Sequence, residues 1–146
     1  RMADRCARRD AAAPPGQLAA ALRDNDTNPW KPPGGGYQGA LTHDVIHGLD
    51  ITVALGVGRQ VPPERLGIVL ASITDAKSVR FFGTHLDGIE LRADDLDWSF
   101  GSGAPLSGSA QDLALVVSGR KLPPGRLRGE HSARFTGVAG CEWGTT

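Results

Sequence analysis

The sequence predicts an α+β fold, in which a helical unit precedes a small mixed unit. Helical periodicity dominates up to about residue 78, and an alternation typical of strands replaces it after Val79. The 146 residues are enough for one average domain or two small ones. We therefore predict a helical domain over residues 1–78, an α+β domain over residues 79–136 and a flexible tail over residues 137–146.

Composition and charge exclude several classes of protein. Sixteen basic residues balance sixteen acidic ones, which argues against a nucleic-acid module and against a polybasic membrane anchor. No apolar run approaches the roughly 18 residues of a transmembrane helix. Cys6 and Cys141 lie near opposite ends, a spacing that suits neither a disulfide scaffold nor a zinc ribbon. We expect a cytoplasmic protein without a nucleic-acid or membrane partner.

The helical half begins with two short segments and a loop. Residues 1–13 are typical of the end of a helix, residues 17–23 predict a short helix, and residues 24–36 are rich in proline and glycine. A long periodic segment then runs from Tyr37 to Gly56. Because its apolar residues cover nearly the whole circumference, we expect this helix to be buried. A further helix is predicted from Pro63 to about Lys77, packed beside the long one.

The second half predicts three strands and one helix. Alternating apolar residues over 89–94 and 96–100 indicate two strands that pair as a hairpin about Asp94-Asp95. A short strand is predicted over residues 104–107. Ser109 and Asp112 then resemble a capping box at the start of a helix, for which Gly119 is a plausible end.

The long helix carries the residues of greatest chemical interest. His43 and His47 lie one turn apart on one face, so that a divalent metal could bind both imidazoles. Asp50, one turn further on, could be a ligand or could orient an imidazole from behind. Two core histidines with ordinary hydrogen-bond partners would give the same pattern. A catalytic zinc also needs a third protein ligand, and we expect His85 and His131 to be solvated surface residues instead.

Two stretches of the chain resemble a known family. They are GALTHDVIHGLDITVALG (39–56) and LRADDLDWSFGSG…LSGSAQDLALVVSGR (91–120). They resemble the mycothiol-dependent maleylpyruvate isomerase family, a branch of the DinB-like metal-binding helical bundles, over residues 15–135. The resemblance implies a DinB-like four-helix bundle followed by a domain like those of sterol carrier proteins. It also implies that His43 and His47 ligate a divalent metal, usually zinc, and that Asp50 and Arg120 serve the active site.

The function that this resemblance implies is an isomerase or S-transferase. The thiolate of mycothiol would add to an electrophilic small molecule, and Arg120 would hold a substrate carboxylate. Arg92 is an alternative anion binder, whereas Cys6 and Cys141 are not expected to be nucleophiles. We expect Trp98 and Phe100 to pack in the core.

The chain also departs from the family. The family's early helix and its histidine have no counterpart here, so we expect an N-terminally truncated bundle. A non-catalytic metal-binding bundle and an inactive remnant therefore stay open as alternatives. We expect that either a partner or a second copy of the chain, as a homodimer, covers the face that the missing helix leaves.

Overall fold

The computed structural model describes residues 2–33 and 35–137 of the chain. The chain divides into two compact units, with the boundary between Trp30 and Lys31. The first unit contains two of the predicted helices, α1 (Met2–Asp10) and α2 (Pro15–Asp24). Proline at the start of α2 suits a first helical turn, where its missing N–H is not needed. No residue of α2 is buried.

The second unit begins with the long helix α3, Gly36–Ala54. As predicted, Gly56 is the C′ residue that follows the end of the helix, and it adopts the left-handed conformation with φ of 65°. The Gly56 N–H donates to Val53 O at 3.2 Å, and the Val57 N–H donates to Thr52 O at 2.8 Å. These are the two hydrogen bonds of a Schellman motif, which satisfies the last carbonyls of a helix.

The helix α4 (Pro63–Ile73) follows after a turn and begins with proline as predicted. The prediction that it continues to Lys77 is wrong, because Asp75 ends it by capping a new helix, α5 (Ala76–Phe82). The Asp75 carboxylate accepts hydrogen bonds from the backbone N–H groups of Lys77 and Ser78. The hydrogen bond from the Ser78 backbone is the largest reason that the pKa of Asp75 is lowered.

Three strands form one small sheet: β1 (Ile89–Ala93), β2 (Ser99–Gly101) and β3 (Ala104–Gly108). Their order is β2-β1-β3, with β2 antiparallel and β3 parallel to the central strand. Leu91 lies opposite Phe100 on one side and Leu106 on the other. The hairpin is confirmed, but its connection is longer than the predicted turn, since the Ala93 N–H still donates to Trp98 O at 3.0 Å.

The last helix of the unit is α6, Ala110–Val117. Half of the predicted capping box is confirmed, because Ser109 Oγ accepts from the Asp112 N–H at 3.2 Å. The buried Asp112 carboxylate instead accepts from Arg126 Nε at 2.9 Å. Asp95 adds a second cap by accepting from the Ala110 N–H at 2.7 Å. The hairpin loop is thereby tied to the start of α6.

The second unit has a hydrophobic cluster to which helices and sheet both contribute, and the predicted α+β fold is confirmed. Trp98 and Phe100 pack against this cluster as expected. Residues from both sides of the predicted boundary near residue 78 belong to the cluster, and that boundary stays a prediction. The largest fully buried side chains are Leu49, Leu70, Ile73, Ile89, Leu91, Leu106, Leu113, Leu115 and Leu122.

One expectation about α3 is wrong. Only Val45, Ile46 and Leu49 are buried, whereas Ile51 and Leu55 are 61% and 71% exposed. The reason is that α4 and α6 pack against the same side of this helix, so that only one face meets the cluster.

Two further expectations concern membranes and the tail. In the part of the chain that the structure describes, no helix is long and apolar enough to cross a membrane. Apart from Gly137, the predicted tail over residues 137–146 lies outside the described residues, and so does Cys141.

Candidate functional site

The histidine pair lies at the middle of α3. The spacing of four residues brings the rings of His43 and His47 together, with centroids 4.4 Å apart and planes inclined at 67°. His43 is exposed, and the His47 side chain is 45% exposed. Both imidazoles therefore meet the surface of the second unit rather than its core.

Asp50 holds one of the two imidazoles. Its Oδ2 lies 3.2 Å from Nδ1 of His47, one turn earlier on the same helix. A carboxylate only accepts hydrogen bonds, so Nδ1 of a neutral His47 carries the proton and Nε2 keeps its lone pair. This is the arrangement in which proteins present a histidine to a metal, with a carboxylate behind the ring.

Arg120 reaches the same carboxylate from the end of α6. Gly119 adopts a left-handed conformation with φ of 80°, and the Arg120 N–H donates to Leu115 O at 2.9 Å in a second Schellman motif. This turn leads the chain away from the α6 axis, and the arginine side chain then contacts α3. The predicted end of α6 at Gly119 is thus what positions the arginine.

The contact between Arg120 and Asp50 is bidentate. Nε donates to Oδ1 at 3.0 Å, and Nη2 donates to Oδ2 at 2.9 Å. Nη1 donates to the carbonyl of Ser118 at 2.6 Å, which fixes the guanidinium from the other side. Both side chains are 25% exposed, so solvent weakens their attraction less than on an open surface. The ion pair balances the negative charge of the Asp50 carboxylate and holds the carboxylate in one orientation.

All four residues named by the resemblance thus lie in one place. Arg120, Asp50 and His47 form a continuous hydrogen-bonded chain, and His43 stacks edge-on against its end. We call these four residues the histidine cluster. Its arginine and aspartate are 70 positions apart in the sequence.

The other candidates lie elsewhere. His85 is exposed in the loop before β1, and His131 pairs with its neighbour Glu130 at 3.2 Å. Arg92 donates to Glu90 on its own strand at 2.7 Å, and this contact raises the pKa of the guanidinium. Arg92, the alternative anion binder, is therefore already paired with the Glu90 carboxylate. Cys6 belongs to α1 in the first unit.

Sequence reasoning overlooked Arg59. Its guanidinium lies against Gly48 of α3, where an added Cβ would require the guanidinium to shift, and its Nη2 is 4.0 Å from Asp44 Oδ2. Glycine in a helix interior costs about 1 kcal/mol relative to alanine, so its presence one residue after His47 was a signal of close approach. Arg59 thus places a positive charge beside Asp44 and Gly48 on α3.

The cluster fits a divalent metal in part. His43 and His47 are suitable ligands, and Asp50 supplies the outer hydrogen bond that such ligands use. Among residues 2–33 and 35–137, however, no three histidine, cysteine or acidic side chains are grouped so that they could hold a metal ion. The described residues thus offer two imidazole ligands, where a catalytic zinc commonly has three protein ligands.

Comparisons of the chain with family models, with curated proteins and with solved structures found no match. The histidine cluster and the resemblance of the sequence motifs are therefore the basis on which a function can be proposed.

Proposed function

We propose that this chain binds a divalent metal through His43 and His47 and acts as a mycothiol-dependent isomerase or S-transferase. Zinc is the metal that we expect. The observation that carries the proposal is the hydrogen-bonded chain from Arg120 through Asp50 to His47. Helical spacing named His47 and Asp50, the resemblance alone named Arg120, and a contact between positions so distant in sequence supports their acting together.

Each residue of the chain has a distinct role in this proposal. Asp50 fixes the tautomer of His47 so that Nε2 is available as a ligand. Arg120 prevents the carboxylate from turning away. A guanidinium has five N–H donors, of which Asp50 and Ser118 take three, so donors are left for a substrate carboxylate. Arg120 is thus first a positioning residue and second an anion binder.

The chemistry that we propose is reversible thiolate addition. A divalent metal at the histidine pair would keep a coordinated thiol deprotonated at neutral pH. Mycothiol would supply the nucleophilic thiolate for reversible addition to a conjugated alkene, which would allow rotation about the former double bond and release the thiol unchanged. His43 and His47 would hold the metal, and Arg120 would hold the substrate carboxylate.

A second candidate is a metal-binding bundle without catalytic activity, or an inactive remnant of such an enzyme. The observation that favours it is the ligand count, since the described residues bring together two imidazoles and no third ligand. A site of this kind could bind metal weakly without presenting it to a thiol.

The test combines zinc binding with a turnover assay. We expect the chain to bind zinc and to convert a maleylpyruvate-like substrate only when mycothiol is present. A His43→Ala/His47→Ala variant should lose both properties, whereas His85→Ala, which removes an exposed histidine outside the cluster, should keep both. Zinc binding without thiol-dependent turnover would favour the second candidate. Absence of zinc binding would contradict the proposed enzyme and the metal-binding bundle, and would leave the inactive remnant.

A further inference from the structure

The end of α6, from which Arg120 extends, needs hydrogen-bond donors for its last carbonyl groups, because these groups have no partner inside the helix. Three of them, on Ala114, Leu115 and Val116, accept from the backbone N–H groups of residues 118–120 at 2.9 to 3.1 Å. The carbonyl of Val117 is different, because the hydrogen bond that it accepts comes from another part of the chain.

Thr84 supplies that hydrogen bond. Its Oγ1 donates to the Val117 carbonyl at 2.9 Å, although the two residues are 33 positions apart in the sequence. Thr84 follows Gly83, at which α5 ends in a left-handed conformation with φ of 64°. A Cβ added at Gly119 would lie 3.7 Å from the same Oγ1 atom. The turn that leads to Arg120 therefore packs against Thr84.

Burial makes this hydrogen bond costly to lose. Val117 is fully buried and Thr84 is half-buried. A buried carbonyl that loses its donor destabilises the arrangement that buries it, so the last turn of α6 would shift to bring the Val117 carbonyl to another donor or to water. Ser118 O, which accepts from Nη1 of Arg120, belongs to the next peptide group and would move with it.

We propose that Thr84 is a positioning residue for Arg120. Its hydroxyl fixes the last turn of α6, Ser118 O then fixes the Arg120 guanidinium, and the guanidinium fixes the Asp50 carboxylate. The inference rests on the proposed function, which gives Arg120 its role at the histidine cluster. It extends the site to the loop between α5 and β1, to which neither helical spacing nor the resemblance pointed.

The experiment measures how firmly the Arg120 side chain is held in the full 146-residue chain. NMR records the exchange of the Arg120 Nε proton with water, which is slow while that proton is hydrogen-bonded to Asp50. Thr84→Val keeps a similar shape and removes the hydroxyl. We expect it to accelerate the exchange about tenfold, because loss of a buried hydrogen bond shifts a local equilibrium by about that factor. Thr84→Ser keeps the hydroxyl and should keep the exchange slow.

Thr74→Val is the matched control. Thr74 is half-buried like Thr84, and its Oγ1 donates to Leu70 O at 2.6 Å at the end of α4. The variant therefore removes the same kind of hydrogen bond from a helix end that does not carry Arg120. It should lower the stability of the protein and leave the exchange of the Arg120 Nε proton unchanged. If Thr84 had only a structural role, Thr84→Val would give this same result.

Faster exchange in Thr84→Val, with slow exchange in Thr84→Ser and Thr74→Val, is the result that supports the proposal. Unchanged exchange in Thr84→Val, or an equal rise in Thr74→Val, would overturn the role of Thr84 and leave the proposed function intact. Fast exchange in Thr84→Ser would also overturn that role, and this arm stays decisive if Thr84→Val does not fold. Fast exchange in the unsubstituted chain would overturn both this proposal and the contact between Arg120 and Asp50 that carries the proposed function.

Discussion

The helices α3 and α6 are both strongly apolar, and both end in a Schellman motif, yet their surroundings differ. In α6 every residue but Gln111 is buried, because β1, β3, α3 and α4 all contact this helix. In α3 only three residues are buried. An apolar circumference therefore favours burial of a helix, but the part that is covered depends on which elements pack against it. Among the residues that the structure describes, one face of α3 stays exposed, and the histidine pair lies on it.

Truncation of a buried side chain in α6 and of an exposed one in α3 tests this difference in burial. Leu113→Ala in α6 should lower the free energy of unfolding by about 2–5 kcal/mol, because it leaves a cavity at a fully buried site. Ile51→Ala in α3 removes an exposed side chain and should change stability by less than about 0.5 kcal/mol. Urea unfolding with a chelator present measures both stabilities without a contribution from bound metal. Similar losses for the two variants would show that Ile51 is covered in the monomer.

A smaller effect concerns how the two helices begin. Ser109 caps α6 with its side chain, whereas Gly35 precedes α3 and has no side chain to cap it. Ser109→Ala should therefore destabilise the protein by about 1 kcal/mol, since the Asp112 N–H loses its acceptor. Ser109→Asp should retain most of the stability. Ser102→Ala, in the exposed turn before β3, serves as the control and should have little effect in thermal unfolding.

Much of the local structure could be predicted from the sequence, because its signals are local. The alternation of Ile89 and Leu91 with polar residues identified β1, and Gly56 and Gly119 marked the two helix ends. The end of α4 at Ile73 was not predicted, because the helical spacing of its apolar residues suggested a continuous helix. Asp75, which caps the start of α5, was therefore not recognised as an N-cap. The sequence therefore predicted which helices and strands form better than it predicted where each of them begins and ends.

Long-range contacts were harder to predict. Spacing on one helix brought His43, His47 and Asp50 together, but nothing local pairs Asp50 with Arg120. That partner was available only through the resemblance. Arg59 was missed, although Gly48 marked the place where it approaches α3. The exposure of Ile51 depends on which elements fold back over α3, and periodicity does not contain that information.

We propose that Arg120 and Asp50 fix the tautomer of His47, and nitrogen NMR of the imidazoles measures that tautomer. In metal-free protein at a pH where His47 is neutral, we predict protonation at Nδ1, with Nε2 left as the acceptor. Asp50→Ala should remove this preference, and Arg120→Met should weaken it, while His85 stays unchanged in both variants. A neutral His47 protonated at Nε2 in the unsubstituted chain would contradict the claim.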